Sequence, residues 1–207
     1  MDFGTGNGQA AEELATFFGE VIASDPSVDQ LTAAAAMDRV HFVAMTAESC
    51  ALRARSADLV TVAQALHWFD QPAFYREARR VLVPGGMLAV WTYKLLSFGD
   101  SVDELVAEFY HNVVGAYWPA ERALVDAGYA SIEFPFREVE VPRFEMEATW
   151  TLEQFEGYVN TWSAVTRYTK ALASNPVPAF IDLLRPQWPA GTTRRITWPL
   201  EIRAGTV

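Results

Sequence analysis

Three glycines at alternate positions, Gly4, Gly6 and Gly8, stand directly before a helical pattern in the segment Asp2-Phe3-Gly4-Thr5-Gly6-Asn7-Gly8-Gln9. Such a run lets the backbone turn sharply and approach a ligand closely. The helix behind it offers free N–H groups to negative charge. A nicotinamide or flavin fingerprint places its third glycine one residue later, at Gln9. Here it falls at Gly8, and a plain tight turn is the competing account. A second feature raises the odds. Asp25 closes the next apolar run, about twenty residues after Gly4, where folds of this kind hold a ribose by its hydroxyls. A carboxylate accepts hydrogen bonds from both hydroxyls at once, although Asp25 also stands where it would cap a helix before Pro26-Ser27. Loop and acid together favour nucleoside binding.

The rest of the first half alternates short apolar runs with helical patterns, which predicts an α/β fold around a parallel sheet. Val21–Ser24, Val40–Ala44, Leu59–Ala63 and Met87–Thr92 read as strands. Leu14, Phe17 and Phe18 share a helical face, with Gly19 placed for a left-handed cap. Ser27 and Gln30 have capping-box spacing ahead of a helix through the alanines. Asp70 is a good N-cap for a helix with an apolar stripe of Phe74, Ala78, Val81 and Leu82, ended by Pro84-Gly85-Gly86. Beyond Tyr93 the rhythm turns helical. Ser101 and Glu104 suggest a capping box before Val102, Leu105, Val106, Phe109, Tyr110 and Val113, and Thr151 and Gln154 repeat the signal. A last strand alternates Ile196, Trp198, Leu200 and Ile202, and Pro199 within it calls for a bulge or an unpaired side.

Composition narrows the partners. Sixteen basic residues face 26 acidic ones, a net charge of −10, which disfavours a nucleic-acid backbone. The lone Cys50 forms no internal disulfide, and no run is long enough to span a membrane, so the expectation is a cytoplasmic protein. His41, His67 and His111 are isolated from one another in sequence and make no metal-ligand cluster. His41 and His111 read as structural.

Taken with Ala47-Glu48, Ala65-Leu66-His67-Trp68-Phe69-Asp70 and Arg80-Val81-Leu82-Val83-Pro84-Gly85-Gly86, the glycine loop and Asp25 make the chain similar to the type-11 methyltransferase domain. The His-Trp-Phe-Asp stretch resembles the branch containing trans-aconitate methyltransferase. Tyr117-Trp118-Pro119, Trp162-Ser163-Ala164-Val165 and Trp198-Pro199-Leu200 extend that resemblance over nearly the whole chain. It implies a class I, Rossmann-like methyltransferase: a mostly parallel seven-stranded sheet with one antiparallel strand and a helical insertion after the fifth strand. Residues 1–207 form one domain on this reading, with 1–94 the cofactor-binding half and 95–207 the substrate-covering and C-terminal half.

The same resemblance implies S-adenosyl-L-methionine as cofactor. Asp2, Gly4, Gly6 and Gly8 belong to the loop around its methionyl part, Asp25 to the ribose, and Ala47 and Glu48 to adenine. Thr46 stands where many relatives have Asp. Gln64 either meets the methionyl group or simply ends its strand as a polar residue. His67 orients an anionic acceptor or takes a proton, against the alternative of a histidine bonded to backbone beside Asp70. Trp68, Tyr93, Trp118 and Trp162 belong to the acceptor side by resemblance, while aromatics of this kind are more often core. The acceptor implied is a small carboxylic acid, which is ionised at neutral pH and needs no general base. Asp2 is expected to end the first, central strand, with Met1 alone before it, so that strand and a helical lead segment read as truncated. A non-catalytic remnant and a nicotinamide-dependent oxidoreductase are the competing functions.

Overall fold

The computed structural model describes all 207 residues, which fall into two compact units. The first comprises Met1–Tyr93, Leu124–Arg143 and Leu200–Val207; the second comprises Lys94–Ala123 and Phe144–Pro199. A division at residue 94 therefore misses two later segments that return to the first unit.

In the first unit the strands are β1 (Asp2–Phe3), β2 (Val21–Asp25), β3 (Val40–Ala44), β4 (Ala57–Ala63), β5 (Leu82–Tyr93) and β6 (Arg137–Glu138), joined by the latter part of β8 (Arg194–Thr206). The sheet order is β3-β2-β1-β4-β5-β8-β6, with β7 (Phe144–Trp150) pairing β8 as an eighth strand. The seven strands expected are the main path, and β7 is the addition. β1 to β5 pair in parallel, whereas β8 runs against both β5 and β6. β1 has two residues, pairing Asp2 with Ala23 and Thr61 and Phe3 with Ser24. Val60, Thr61 and Val62 are all buried, as a central strand covered on both faces requires.

Local signals explain most of the helices. In α1 (Gln9–Phe17) Ala11 packs with Val21, Ala23 and Val40, but Phe17 is 82% exposed. Gly19 is not the cap; the helix ends at Phe18 in extended conformation. Ser27 does cap α2 (Val28–Thr32), accepting from the Gln30 N–H, yet the helix stops before the alanine run. None of its five side chains is fully buried, so little packing supports a longer helix. α3 (Gln71–Val81) follows its pattern: Asp70 accepts from the Ala73 N–H at 3.0 Å, and Phe74, Tyr75, Ala78 and Val81 are buried against Val60, Val62 and Leu88. Leu82 opens β5 rather than closing the helix stripe, and Pro84-Gly85-Gly86 lies inside that strand at a register shift opposite Ala57–Leu59. α5 (Arg122–Asp126) ends at the segment that returns to this core through Tyr129, Ile132, Phe134 and Phe136.

The second unit holds α4 (Val102–Glu108), α6 (Leu152–Asn160), α7 (Ser163–Leu172) and α8 (Val177–Leu184). The capping box of α6 forms in both directions between Thr151 and Gln154. That of α4 does not: Asp100 accepts from the Val102 N–H, and Ser101 turns its hydroxyl to Gln187. The face expected to continue α4 winds into a π-helical turn over Phe109–Val113. Pro199 sits between the Ser97–Thr197 bridge and the Tyr93–Leu200 pair, in the stretch where β8 has no registered partner on that side.

Candidate active site

The loop between β1 and α1 is tied down at three points. The Thr5 N–H donates to the Ser24 carbonyl at 2.9 Å, the Gly8 N–H to the Thr5 carbonyl at 3.0 Å, and the Gly6 N–H to Asp25 Oδ2 at 3.0 Å. Asp25 Oδ1 also accepts from the Ser27 N–H at 2.9 Å, so the acid orders the α2 turn as well as the loop. Beneath them Asp2 is fully buried. Its two oxygens accept from the hydroxyls of Thr5 at 2.6 Å and Thr61 at 2.7 Å. Burial pushes its carboxyl above the usual range, and the two hydroxyl bonds oppose that shift. Asp2 thus anchors the loop from below.

The glycines differ in what surrounds them. Gly4, Gly6 and Gly8 all have positive φ, at 66°, 58° and 92°. A Cβ on Gly4 would lie 2.5 Å from Ala65 Cβ, so that position needs glycine to pack. A Cβ on Gly6 would meet only Gln30 Oε1, at 3.8 Å, and would otherwise project into open space above the loop. The first N–H groups of α1 have no side-chain cap. The open surroundings of a Gly6 Cβ, the Asp25 carboxylate bonded to the Gly6 N–H and the uncapped start of α1 suit a ligand that carries hydroxyls and a carboxylate.

The remaining first-unit candidates lie on the segments that follow β3, β4 and β5. Ala47 is buried with Phe3 in the core, beside the Thr46–Ser49 bridge, and Glu48 accepts the Asp70 N–H at 3.1 Å. Gln64, just past β4, has φ 54° and a side chain committed to β5. Its Oε1 accepts from Thr92 Oγ1 at 2.6 Å and from the Tyr93 N–H at 2.9 Å. Its Nε2 also donates to the Tyr93 carbonyl at 3.4 Å, so the side chain clamps the end of β4 to the end of β5. Tyr93 closes β5 as the other half of the clamp.

His67 lies in a single 3-10 turn, Leu66–Trp68, and is 9% exposed. Its Nδ1 is 2.9 Å from the Tyr129 hydroxyl, a side-chain partner that fixes the ring. Trp68 leaves 57% of its surface exposed, with its ring 4.7 Å from the imidazole. Trp118 and Trp162 belong to the second unit. There they pack 5.8 Å apart beside Tyr110, and Arg122 lies over the Trp118 ring. Trp162 is 8% exposed, the burial expected of a core aromatic. His41 bonds Glu20 at 2.6 Å on the surface. No group of three His, Cys, Asp or Glu side chains is placed to hold a metal ion. Sequence patterns did not mark Tyr129, Thr61 or Thr92. The threonines are the readable ones, as polar residues in otherwise apolar strands.

Comparison with known proteins decides the family. The profile of the methyltransferase domain matches residues 1–90. A Dictyostelium discoideum protein assigned as a methyltransferase is 33% identical over 187 residues, covering 89% of this chain and 71% of its own. The chain belongs to the class I S-adenosylmethionine-dependent methyltransferases. Two further similarities support that membership. A structure from Anaeromyxobacter dehalogenans, described as a type II methyltransferase, superposes with a TM-score of 0.92 at 40% identity, covering 99% of this chain and 88% of that one. The Saccharomyces cerevisiae protein CRG1, assigned as an S-adenosylmethionine-dependent methyltransferase, is 25% identical over 85% of this chain and 72% of its own. S-adenosylmethionine is therefore the methyl donor of this methyltransferase, and the oxidoreductase alternative is set aside. No helix is long and apolar enough to cross a membrane.

Proposed function

We propose that this methyltransferase transfers its methyl group to a carboxylate oxygen of a small organic acid, as the resemblance to the trans-aconitate branch suggests. The observation that carries the reading is the His67–Trp68 turn directly after β4. It sets a fixed imidazole beside an exposed indole at the carboxyl end of a parallel strand, the edge where such sheets take ligands. In this reading the open side of Gly6 leaves room for the methionyl part, Gly4 and Gly8 let the loop pack against Ala65 and Phe42, and Asp25 takes the ribose hydroxyls. Ala47 and Glu48 flank adenine, and Asp2 keeps the loop in shape. His67 orients the acceptor's negative charge, Trp68 shields its apolar part, and Tyr93 belongs to the same side at the end of β5.

Bound S-adenosylmethionine supplies a methyl group already activated by the sulfonium. What remains for the protein is to align an oxygen in line with that methyl group and to keep water out. A carboxylate arrives ionised, so no proton need be removed. The test is methyl transfer to a matched panel of small mono-, di- and tricarboxylic acids, phenols and amines, read by mass and by alkaline lability of the product. Base-labile methyl esters are expected from the acids first. Transfer only to phenols or amines defeats the carboxylate reading and leaves the family assignment untouched.

A further inference from the structure

Among the left-handed non-glycine residues, two converge on the turn that carries His67. Gln64, with φ 54°, lies three residues before it and is clamped to Thr92 and Tyr93. Tyr129, with φ 58°, follows Gly128 at φ 62° and is 1% exposed, its hydroxyl 2.9 Å from His67 Nδ1. A left-handed L-residue is strained, and such strain persists where the surroundings over-determine it, often at functional sites. The surroundings do so here. The Tyr129 N–H donates to the Leu124 carbonyl at 2.9 Å, and its own carbonyl accepts from the Ile132 N–H at 3.0 Å. The strained turn delivers one phenol to one imidazole nitrogen.

A phenol hydroxyl is a better donor than its oxygen is an acceptor, whereas an unprotonated imidazole nitrogen is a strong acceptor. The tyrosine proton is therefore directed at Nδ1. We infer that Tyr129 is a positioning residue that holds His67 as the neutral Nε2–H tautomer, making the ring a hydrogen-bond donor to an anionic acceptor and not a base. The inference rests on the proposed acceptor-orienting role of His67. With Nδ1 engaged by the phenol, Nε2 carries the ring's own proton and acts as a donor.

The test is a long-range proton–nitrogen correlation spectrum of the full chain labelled with 15N-histidine. Only three histidines are present, and His67 is identified by its absence in His67→Gln. The expected wild-type pattern is a protonated Nε2, and Tyr129→Phe should convert it to a mixture of tautomers while raising the acceptor KM about fivefold with kcat little changed. A wild-type ring protonated at Nδ1, or a tautomer unmoved by Tyr129→Phe, overturns the inference. The wild-type spectrum alone decides the direction of the bond if the variant does not fold. A tautomer that shifts as expected while His67→Gln leaves the acceptor KM unchanged supports the positioning by Tyr129 and instead defeats the acceptor-orienting reading.

Discussion

The Asp25 carboxylate accepts the Gly6 N–H on one oxygen, at 3.0 Å, and the Ser27 N–H on the other, at 2.9 Å. One side chain thus couples the glycine loop to the end of β2 and to the start of α2. Each oxygen keeps further acceptor capacity, so organising the loop and holding a ribose are compatible uses of the same group.

Asp25→Ala should therefore weaken binding of S-adenosylhomocysteine by about 10- to 100-fold, the worth of a charged hydrogen bond together with a loosened loop. Titration calorimetry reads the affinity. Asp25→Asn retains an acceptor and should lose less. An unchanged dissociation constant in the alanine variant would return Asp25 to a purely structural part.

The loop glycines allow stability and binding to be separated. Gly4→Ala combines a left-handed backbone with a Cβ 2.5 Å from Ala65, so it should destabilise the fold by roughly 2–4 kcal/mol in chemical denaturation. Gly6→Ala meets no close neighbour and should cost only the backbone term, about 1 kcal/mol. Its methyl group would occupy the open space proposed for the donor, so affinity for S-adenosylhomocysteine should fall by more than stability does. Equal losses of stability in the two variants would contradict the packing difference.

How far these features are legible in the sequence depends on whether their cause is local. The glycine loop and the Asp70 and Thr151 caps are written within a few residues of where they act, Asp25 is marked by its place at the end of an apolar run, and the structure puts each in the expected element. The Ser101–Glu104 spacing misleads because Asp100 sits one residue earlier and takes the capping bond. The alanines after Thr32 mislead because propensity alone does not extend a five-residue helix with no buried side chain, and Gly19 misleads because α1 already ends at Phe18 in extended conformation. Tyr129 is invisible for another reason. Its partner His67 is 62 residues away, and no spacing rule links the end of a loop to the end of a strand.

Asp2 carries a pH dependence whose sign is opposite to that of a salt-bridged carboxylate. Burial raises its folded-state pKa above the unfolded 3.8, so between the two values the folded state binds more protons. Stability from this group is complete below 3.8 and is lost as pH rises through the folded pKa. Asp2→Asn removes the charge while leaving acceptor capacity for Thr5 or Thr61. It should be more stable than the wild type at pH 7, with the difference shrinking as pH falls toward 3.8. Melting curves of both proteins across that range check it, and a gap that widens in acid would contradict the burial argument.

Tyr75 offers a test of the core beneath α3. It is 5% exposed, packed edge-on against Phe134 and Phe136, and its hydroxyl has no hydrogen-bond partner. Burial pushes its pKa up to about 12, with the nearby Arg203 opposing the shift. A buried hydroxyl left unsatisfied costs about 1–3 kcal/mol, whereas the ring contributes to the core in full. Tyr75→Phe keeps the ring and removes the orphan oxygen. It should raise unfolding stability by about 1 kcal/mol in urea, with an unchanged denaturant slope. Because the ring keeps its packing against Phe134 and Phe136, the void left by one atom is small and costs little of that gain. A loss of stability would instead reveal that the hydroxyl has a bridging partner, such as a bound water tying α3 to that segment.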